Sequence, residues 1–311
     1  MRYSVVLSYA GAGFCGWQRQ PSEPSVQECL ETALGKLLGG TVPVIGAGRT
    51  DTGVNAIGYV ACFDGPEGLA ADDFRYKLNA ILPRSVVVLS VAPAAPDFHP
   101  RFDARRREYT YFLHRCKDPF VEAFSWQCGY PGLDFDAMNA AAAKLVGTHD
   151  FSCFEKVGAD NKTSVCTVFE AVWRPYVPTH ASVMQGLQPP ESFLPSPEKG
   201  SGRKAPGGIH NALAHDGSLP HTPVIPSEAR EPQYWYFRIS ADRFLRNMVR
   251  AIVGTLIEVG RGKRSVEDFA GLILPAPEPG ARPSTETRTP LRSMAGESVP
   301  GHALFLSKVE Y

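Results

Sequence analysis

The sequence lacks several features that mark other classes of protein. It contains no apolar run close to the roughly 20 residues needed to cross a bilayer, and its first residues, MRYSVVLSYAG, lack the basic start and long apolar middle of a signal peptide. Its seven cysteines are odd in number and form no C-x-x-C pair, which argues against a disulfide framework or a zinc site. These absences predict a cytoplasmic protein with reduced thiols, without a membrane or metal partner.

The chain also lacks net charge, with 32 basic and 32 acidic residues among 311. A neutral total argues against a nucleic-acid substrate, but the charges are unevenly distributed. Residues 99–117 contain five arginines and one lysine against two acids, and residues 236–264 contain six arginines and one lysine against two acids. If these two stretches meet on one face, they form a surface that attracts phosphates; the alternative is ordinary solvated charge.

The hydrophobic pattern predicts two successive β-α-β-β-α-β units. For the first unit it predicts strands at 3–9, 42–47, 58–64 and 85–91 and helices at 25–38 and 71–82. For the second it predicts strands at 108–114, 167–173, 234–240 and 303–309 and helices at 134–146 and 242–259. The predicted fold class is therefore α+β, with two ferredoxin-like or RRM-like units whose sheets join edge to edge.

The predicted domains follow these units, at 1–104 and 105–311. Residues 178–232 are rich in proline, glycine, serine and histidine and have almost no periodic apolar pattern, which predicts a flexible insertion in the second domain. A shorter proline-rich segment, Pro275 to Pro290, predicts a surface loop.

The densest group of polar residues is the segment GAGRTDTGVN at 46–55, between two predicted strands. Glycines on both sides permit tight turns that present the intervening side chains from a strand end. Arg49 and Asp51 are two positions apart, so they can project to the same side of an extended loop. Taken alone, the pattern also fits a structural turn with a surface Arg-Asp pair. It is not a phosphate-binding P-loop, because the lysine of that motif is absent.

Six segments, in order along the chain, together resemble the signature blocks of the TruA family of tRNA pseudouridine synthases. They are YAGAGFCGWQRQ at 9–20, GRTDTGV at 48–54, FHPRF at 98–102 followed by REYTY at 107–111, GTHDF at 147–151, FLRNMVRAIVG at 244–254 and FLSKVEY at 305–311. The chain departs from many relatives at Thr52 and Asn55, where they have alanine and histidine, and at Arg246-Asn247, where some have two histidines.

The resemblance implies a pseudouridine synthase fold, with a largely antiparallel extended sheet and flanking helices. It implies an enzyme that isomerises uridines in the anticodon stem-loop of tRNA, at tRNA positions 38–40, without cofactor or metal. It also implies a homodimer with the tRNA lying across both subunits. By the match to the family's motifs, Asp51 is the indispensable carboxylate, Arg250 its guanidinium partner and Tyr109 the aromatic residue that packs on the flipped base.

Four further arginines are predicted RNA contacts. Arg49 is the candidate to brace the place that the base vacates, and Arg107 belongs to the matching REYTY segment. The helical pattern at 242–259 places Arg243 and Arg246 with Arg250 on the polar face of a core helix, where the first two would meet phosphates.

Breaking an N-glycosidic bond develops positive charge on the sugar, so Asp51 can stabilise that charge, attack covalently or remove a sugar proton. Two other readings remain: an inactive RNA-binding protein of the same fold, and an N-glycoside hydrolase. A retaining hydrolase would need a second carboxylate, for which Glu108 and Asp103 are the candidates. A metal hydrolase is disfavoured, because the eight histidines show no ligand spacing.

Overall fold

The computed structural model describes residues 1–158, 163–180, 232–276 and 292–311. Residues Met1–Pro175 and Gln233–Tyr311 form one compact unit. Most of the predicted insertion at 178–232 and of the predicted loop at 275–290 lies outside the described residues. Among the helices in the described ranges, none is long and apolar enough to span a membrane.

The first predicted unit is present with all six of its elements: β1 Arg2–Tyr9, α1 Val26–Leu38, β2 Ile45–Gly46, β3 Asn55–Asp64, α2 Ala71–Ile81 and β4 Val86–Pro93. Helix α1 begins as predicted, because the Ser25 hydroxyl accepts a hydrogen bond from the Glu28 amide at 3.2 Å. It ends at Gly39, whose φ of 75° breaks the helix. Strand β2 is shorter than predicted and begins only after Pro43, which has no amide hydrogen to donate.

The second predicted unit is also present, with four short additions. Its elements are β5 Arg106–His114, β6 Trp126–Gln127, α3 Phe135–Ala143, β7 Gly147–Asp150, β8 Val165–Pro175, β9 Tyr234–Ala241, α4 Met248–Gly260, α5 Val266–Ala270, β10 Leu274–Pro275 and β11 Leu304–Glu310. The hydrophobic pattern did not predict β6, β7, α5 and β10, which have two to five residues each. Elements this short carry too few residues to show a hydrophobic period.

The described strands form one sheet in the order β10-β7-β8-β9-β5-β11-β3-β1-β4, with β2 beside β3 and β6 beside β5. Its pairs are antiparallel, except for β11 with β3 and β5 with β6. The two units join edge to edge, as predicted, where Phe305 of β11 lies opposite Asn55 of β3. The start of β3, directly after the GRTD segment, therefore lies in the middle of the sheet.

Two clusters of buried residues form the core, one in each predicted unit. Helix α4 contributes to the C-terminal cluster along most of its length, whereas α1 and α2 contribute to the N-terminal cluster. Tyr109 of β5 packs against both clusters. It thus lies where the two cores meet.

Helix α4 begins later than the sequence predicted. Asn247, the residue before it, has a φ of 66°, a left-handed conformation that asparagine tolerates better than most residues. Its side-chain amide donates to the Ser298 hydroxyl at 2.6 Å. The prediction of a helix over 242–259 is therefore wrong for its first six residues. Arg243 and Arg246 lie in a loop, and of the predicted arginine row only Arg250 is on the helix.

Candidate active site

The loop between β2 and β3 is anchored through Thr50. This side chain is 8% exposed. Its hydroxyl shares a hydrogen bond with the Tyr9 hydroxyl at 3.0 Å and accepts one from the Trp17 amide at 3.1 Å. Thr50 faces the interior, whereas its neighbours Arg49 and Asp51 are accessible.

The glycine-rich segment at 10–17 lies directly against this loop. A Cβ atom added to Gly16 would overlap the carbonyl oxygen of Thr50, and one added to Gly11 would overlap that of Val54. The Gly53 amide donates to the Phe14 carbonyl at 3.3 Å. Gly11 and Gly16 are therefore required by close backbone packing that fixes the loop carrying Asp51.

Asp51 lies beside Arg250, as the resemblance implied. One carboxylate oxygen is 3.6 Å from a terminal guanidinium nitrogen, and the two side chains are 24% and 22% exposed. Arg250 is held in place because its Nε donates to the Val299 carbonyl at 2.7 Å, while the Val299 amide donates back to the Arg250 carbonyl at 3.3 Å. Among the described residues, no hydrogen-bond donor occupies the Asp51 carboxylate, so its oxygens remain open to a substrate.

Tyr109 is the third residue of the candidate site, with Asp51 and Arg250. It projects from β5 and packs edge-on against Phe244, with ring centroids 5.0 Å apart. Burial raises the pKa of Tyr109 well above its usual value, and the nearby Asp51 carboxylate raises it further. Its hydroxyl therefore stays protonated at neutral pH. The site brings together an aromatic face, a neutral phenol, a carboxylate and a guanidinium.

Arg107 has a different environment from the one predicted. Its guanidinium donates to the carbonyls of Asp242 at 2.7 Å, Arg101 at 2.6 Å and Ala47 at 3.2 Å. Burial lowers the pKa of Arg107. These bonds tie the start of the loop that carries Asp51 to the loop before α4. Arg107 thus has backbone partners, in place of the free guanidinium that a phosphate contact requires.

The other predicted RNA contacts are accessible. Arg49 is exposed, and its Nε donates to the Gln18 side chain at 3.2 Å. Within the described ranges, Arg243 and Arg246 form no ion pair. These three residues, unlike Arg107, keep cationic groups free for an anionic ligand.

Neither candidate for a second carboxylate joins the group. The Asp103 carboxylate accepts a hydrogen bond from the His99 amide at 2.9 Å. Glu108 precedes Tyr109 on β5, so it projects from the opposite face of the sheet.

Comparison with known proteins identifies the family of the chain. The family model described as tRNA pseudouridine synthase matches residues 5–103 and 141–311. The chain belongs to that family. It is 38% identical to tRNA pseudouridine synthase A of Porphyromonas gingivalis over 312 positions, covering 100% of this chain and 97% of that protein. It is 39% identical to the protein of the same name from Bacteroides fragilis, covering 100% of this chain and 96% of that protein.

One residue of this pseudouridine synthase family member has a structural role that the sequence analysis did not assign. Asn55 is 2% exposed. Its side-chain oxygen accepts from the Gly11 amide at 2.8 Å, and its side-chain nitrogen donates to the carbonyls of His302 at 2.6 Å and Leu304 at 3.3 Å. Asn55 therefore joins the glycine-rich segment and the start of β11 to the end of the loop that carries Asp51.

We predict that Asn55→Ala lowers both stability and turnover. The change leaves buried backbone groups without partners, at a cost of about 1–3 kcal/mol, and it frees the loop that positions Asp51. Turnover should fall about tenfold at temperatures where the variant is fully folded, because a misplaced catalytic group slows the reaction. Thermal unfolding and single-turnover rates measure the two effects.

Asn79→Ala is the matched control. Asn79 makes the same kind of bridge in α2, accepting from the Val88 amide at 2.7 Å and donating to its carbonyl at 2.9 Å. It should lower stability comparably while preserving turnover. Equal turnover in the two variants would contradict the role given to Asn55.

Proposed function

We propose that this protein isomerises uridine in tRNA to pseudouridine, with Asp51 as the catalytic carboxylate. The observation that carries the proposal is the 3.6 Å pair of Asp51 and Arg250 beside Tyr109, with the carboxylate open to a substrate. Family membership gives the reaction, and the geometry supports the assignment of residues to it.

The reaction breaks the N1–C1′ bond of uridine and forms a C5–C1′ bond. N1 gains a proton and C5 loses one, so no oxidant, reductant or other co-reactant is consumed. Asp51 promotes the exchange by attacking C1′ or by removing a sugar proton, and it stabilises positive charge on the sugar in either case. The Arg250 guanidinium stabilises the carboxylate charge when RNA covers the site and excludes water.

Tyr109 is proposed to pack on the uracil. A uridine in a stem or its adjoining loop must leave the base stack before its C1′ is accessible, at a cost of a few kcal/mol. Stacking on an aromatic ring offsets about 1–3 kcal/mol of this cost. Arg49 lies one residue before buried Thr50, on the accessible side of the loop, and is proposed to brace the place that the base leaves.

The finer points of substrate and assembly are proposals from the family resemblance. We infer that the substrate is the anticodon stem-loop and that two subunits bind one tRNA, which doubles the cationic surface of a chain with no net charge. We also propose that 1–104 and 105–311 act as the two domains, with Asp51 supplied by the first and Arg250 by the second.

Tritium at uridine C5 provides the test of the proposed function. The protein is incubated with tRNA whose uridines carry the label, and tritium in water and free uracil are measured separately. Isomerisation releases tritium without free uracil. Free uracil would support a hydrolase, and tRNA binding with neither product would support an inactive RNA-binding protein.

A further inference from the structure

A short loop near the candidate active site presents a lysine that the reaction does not use. The 3-10 turn Ser152–Phe154 buries Cys153 and Phe154, and Lys156 follows at the surface. Between them, Glu155 is fixed by Ser164, whose hydroxyl donates to the carboxylate at 2.8 Å. The backbone that carries the Lys156 side chain is therefore fixed in place.

Lys156 lies next to Arg246. The Lys156 amide donates to the Arg246 carbonyl at 3.0 Å, so two exposed cationic residues from different loops are adjacent. The loop of Arg246 is itself attached to the active site, because Phe244 packs against Tyr109. Contacts therefore connect Tyr109 to Lys156 through the loop that holds Phe244 and Arg246.

Acidic residues form ion pairs with several arginines of the basic stretches at 99–117 and 236–264, but not with Lys156 or Arg246. Arg238 is 2.7 Å from Glu170, and Arg264 is 2.9 Å from Glu258. In the part of the chain that the structure describes, Lys156 and Arg246 have no ion pair. Unpaired cations close together attract anionic ligands.

The acids nearest in sequence are engaged elsewhere. Glu155 accepts the Ser164 hydrogen bond. Asp242 accepts hydrogen bonds from the amides of Thr167 at 2.8 Å and Arg243 at 2.7 Å. These contacts fix both carboxylates, so the cationic pair remains available to a ligand.

We propose that Lys156 and Arg246 together bind backbone phosphates of the tRNA at the edge of the active site formed by the second unit. This inference rests on the proposed function, since it deepens the account of the same substrate. Adjacent cations suit consecutive phosphates, which position the RNA without reading its sequence. Arg49, on the loop that carries Asp51, is the proposed contact from the first unit.

The test measures tRNA affinity in full-length protein carrying Asp51→Asn, so that no turnover occurs. Dissociation constants are measured by fluorescence anisotropy at about 50 to 200 mM KCl, a range over which phosphate contacts weaken strongly. Lys156→Ala and Arg246→Ala should each weaken binding about 3- to 10-fold. Each should also make the salt slope, the slope of log affinity against log salt concentration, shallower by about 0.7–0.9. Lys156→Arg should keep the slope.

Lys36→Ala in α1 is the control, because it removes one charge from an exposed lysine elsewhere. It should leave affinity and salt slope as in the parent. If Lys156→Ala binds tRNA as Lys36→Ala does, the proposed phosphate contact is wrong, while the proposed function stands. Failure of the parent to bind tRNA at any salt concentration would instead reject the proposed function.

Discussion

Asp51→Asn should abolish uridine isomerisation while leaving the protein folded and able to bind tRNA. The amide has the shape of the carboxylate but can neither attack C1′ nor stabilise positive charge on the sugar. We expect the single-turnover rate to fall at least about 10,000-fold, the scale of losing an essential catalytic side chain in other enzymes. Tritium release from C5-labelled tRNA measures the loss directly.

Folding should be nearly unaffected by this change. Asp51 is 24% exposed and 3.6 Å from Arg250. Ion pairs that are exposed to solvent contribute about 0–1 kcal/mol to the free energy of unfolding. The Asp51 carboxylate makes no hydrogen bond within the described residues, so no donor is left unsatisfied. An Asp51→Asn protein that failed to fold would therefore show that the loop depends on this carboxylate structurally.

Asp64→Asn is the control for loss of an Arg-Asp pair. Asp64 ends β3 and lies 3.1 Å from Arg2, which lowers the pKa of its carboxyl. Strand β3 spans ten residues, so Asp64 is about 30 Å along the strand from Asn55. Asp64→Asn should retain activity. A single-turnover rate for Asp51→Asn close to that of Asp64→Asn would remove Asp51 from the chemistry.

Local signals explain how much of the fold the sequence could predict. Helix α1 has both of its end signals in the sequence, Ser25 and Gly39, and its boundaries were predicted almost to the residue. The larger strands were predicted because each has an apolar run of its own. An edge-to-edge joining of the two sheets was also expected, although neither the strands that join, β11 and β3, nor their register is visible in the sequence.

The errors have a common physical cause, which is that long-range hydrogen bonds override local pattern. The segment before Met248 has the apolar spacing of a helix, but Asn247 is held in a left-handed conformation beside Ser298. Arg107 was expected to contact RNA, and its partners in the structure include carbonyls 60 and 135 residues away. Asn55 bonds to His302, at a separation of 247 residues. A single sequence contains no sign of such partners.

Arg250→Met should slow isomerisation about 100- to 1,000-fold, the range found when one preorganised electrostatic group is removed from an active site. The methionine side chain fills similar space but leaves the Asp51 carboxylate without a counter-charge as RNA displaces water. The isomerisation rate of Arg250→Lys should lie between those of Arg250→Met and the natural protein, because lysine keeps the charge but loses the Nε hydrogen bond to Val299. Single-turnover rates at saturating tRNA separate this effect from weaker binding.

Arg264→Met provides a closely matched comparison. Arg264 is 19% exposed, lies 2.9 Å from Glu258 and donates to the Met294 carbonyl at 2.9 Å, so it has the same kinds of partner as Arg250. It follows the far end of α4, about 15 Å along the helix axis from Arg250. Both variants should lose similar stability, but only Arg250→Met should lose turnover. Equal rates in the two variants would show that the guanidinium beside Asp51 supports the fold and not the reaction.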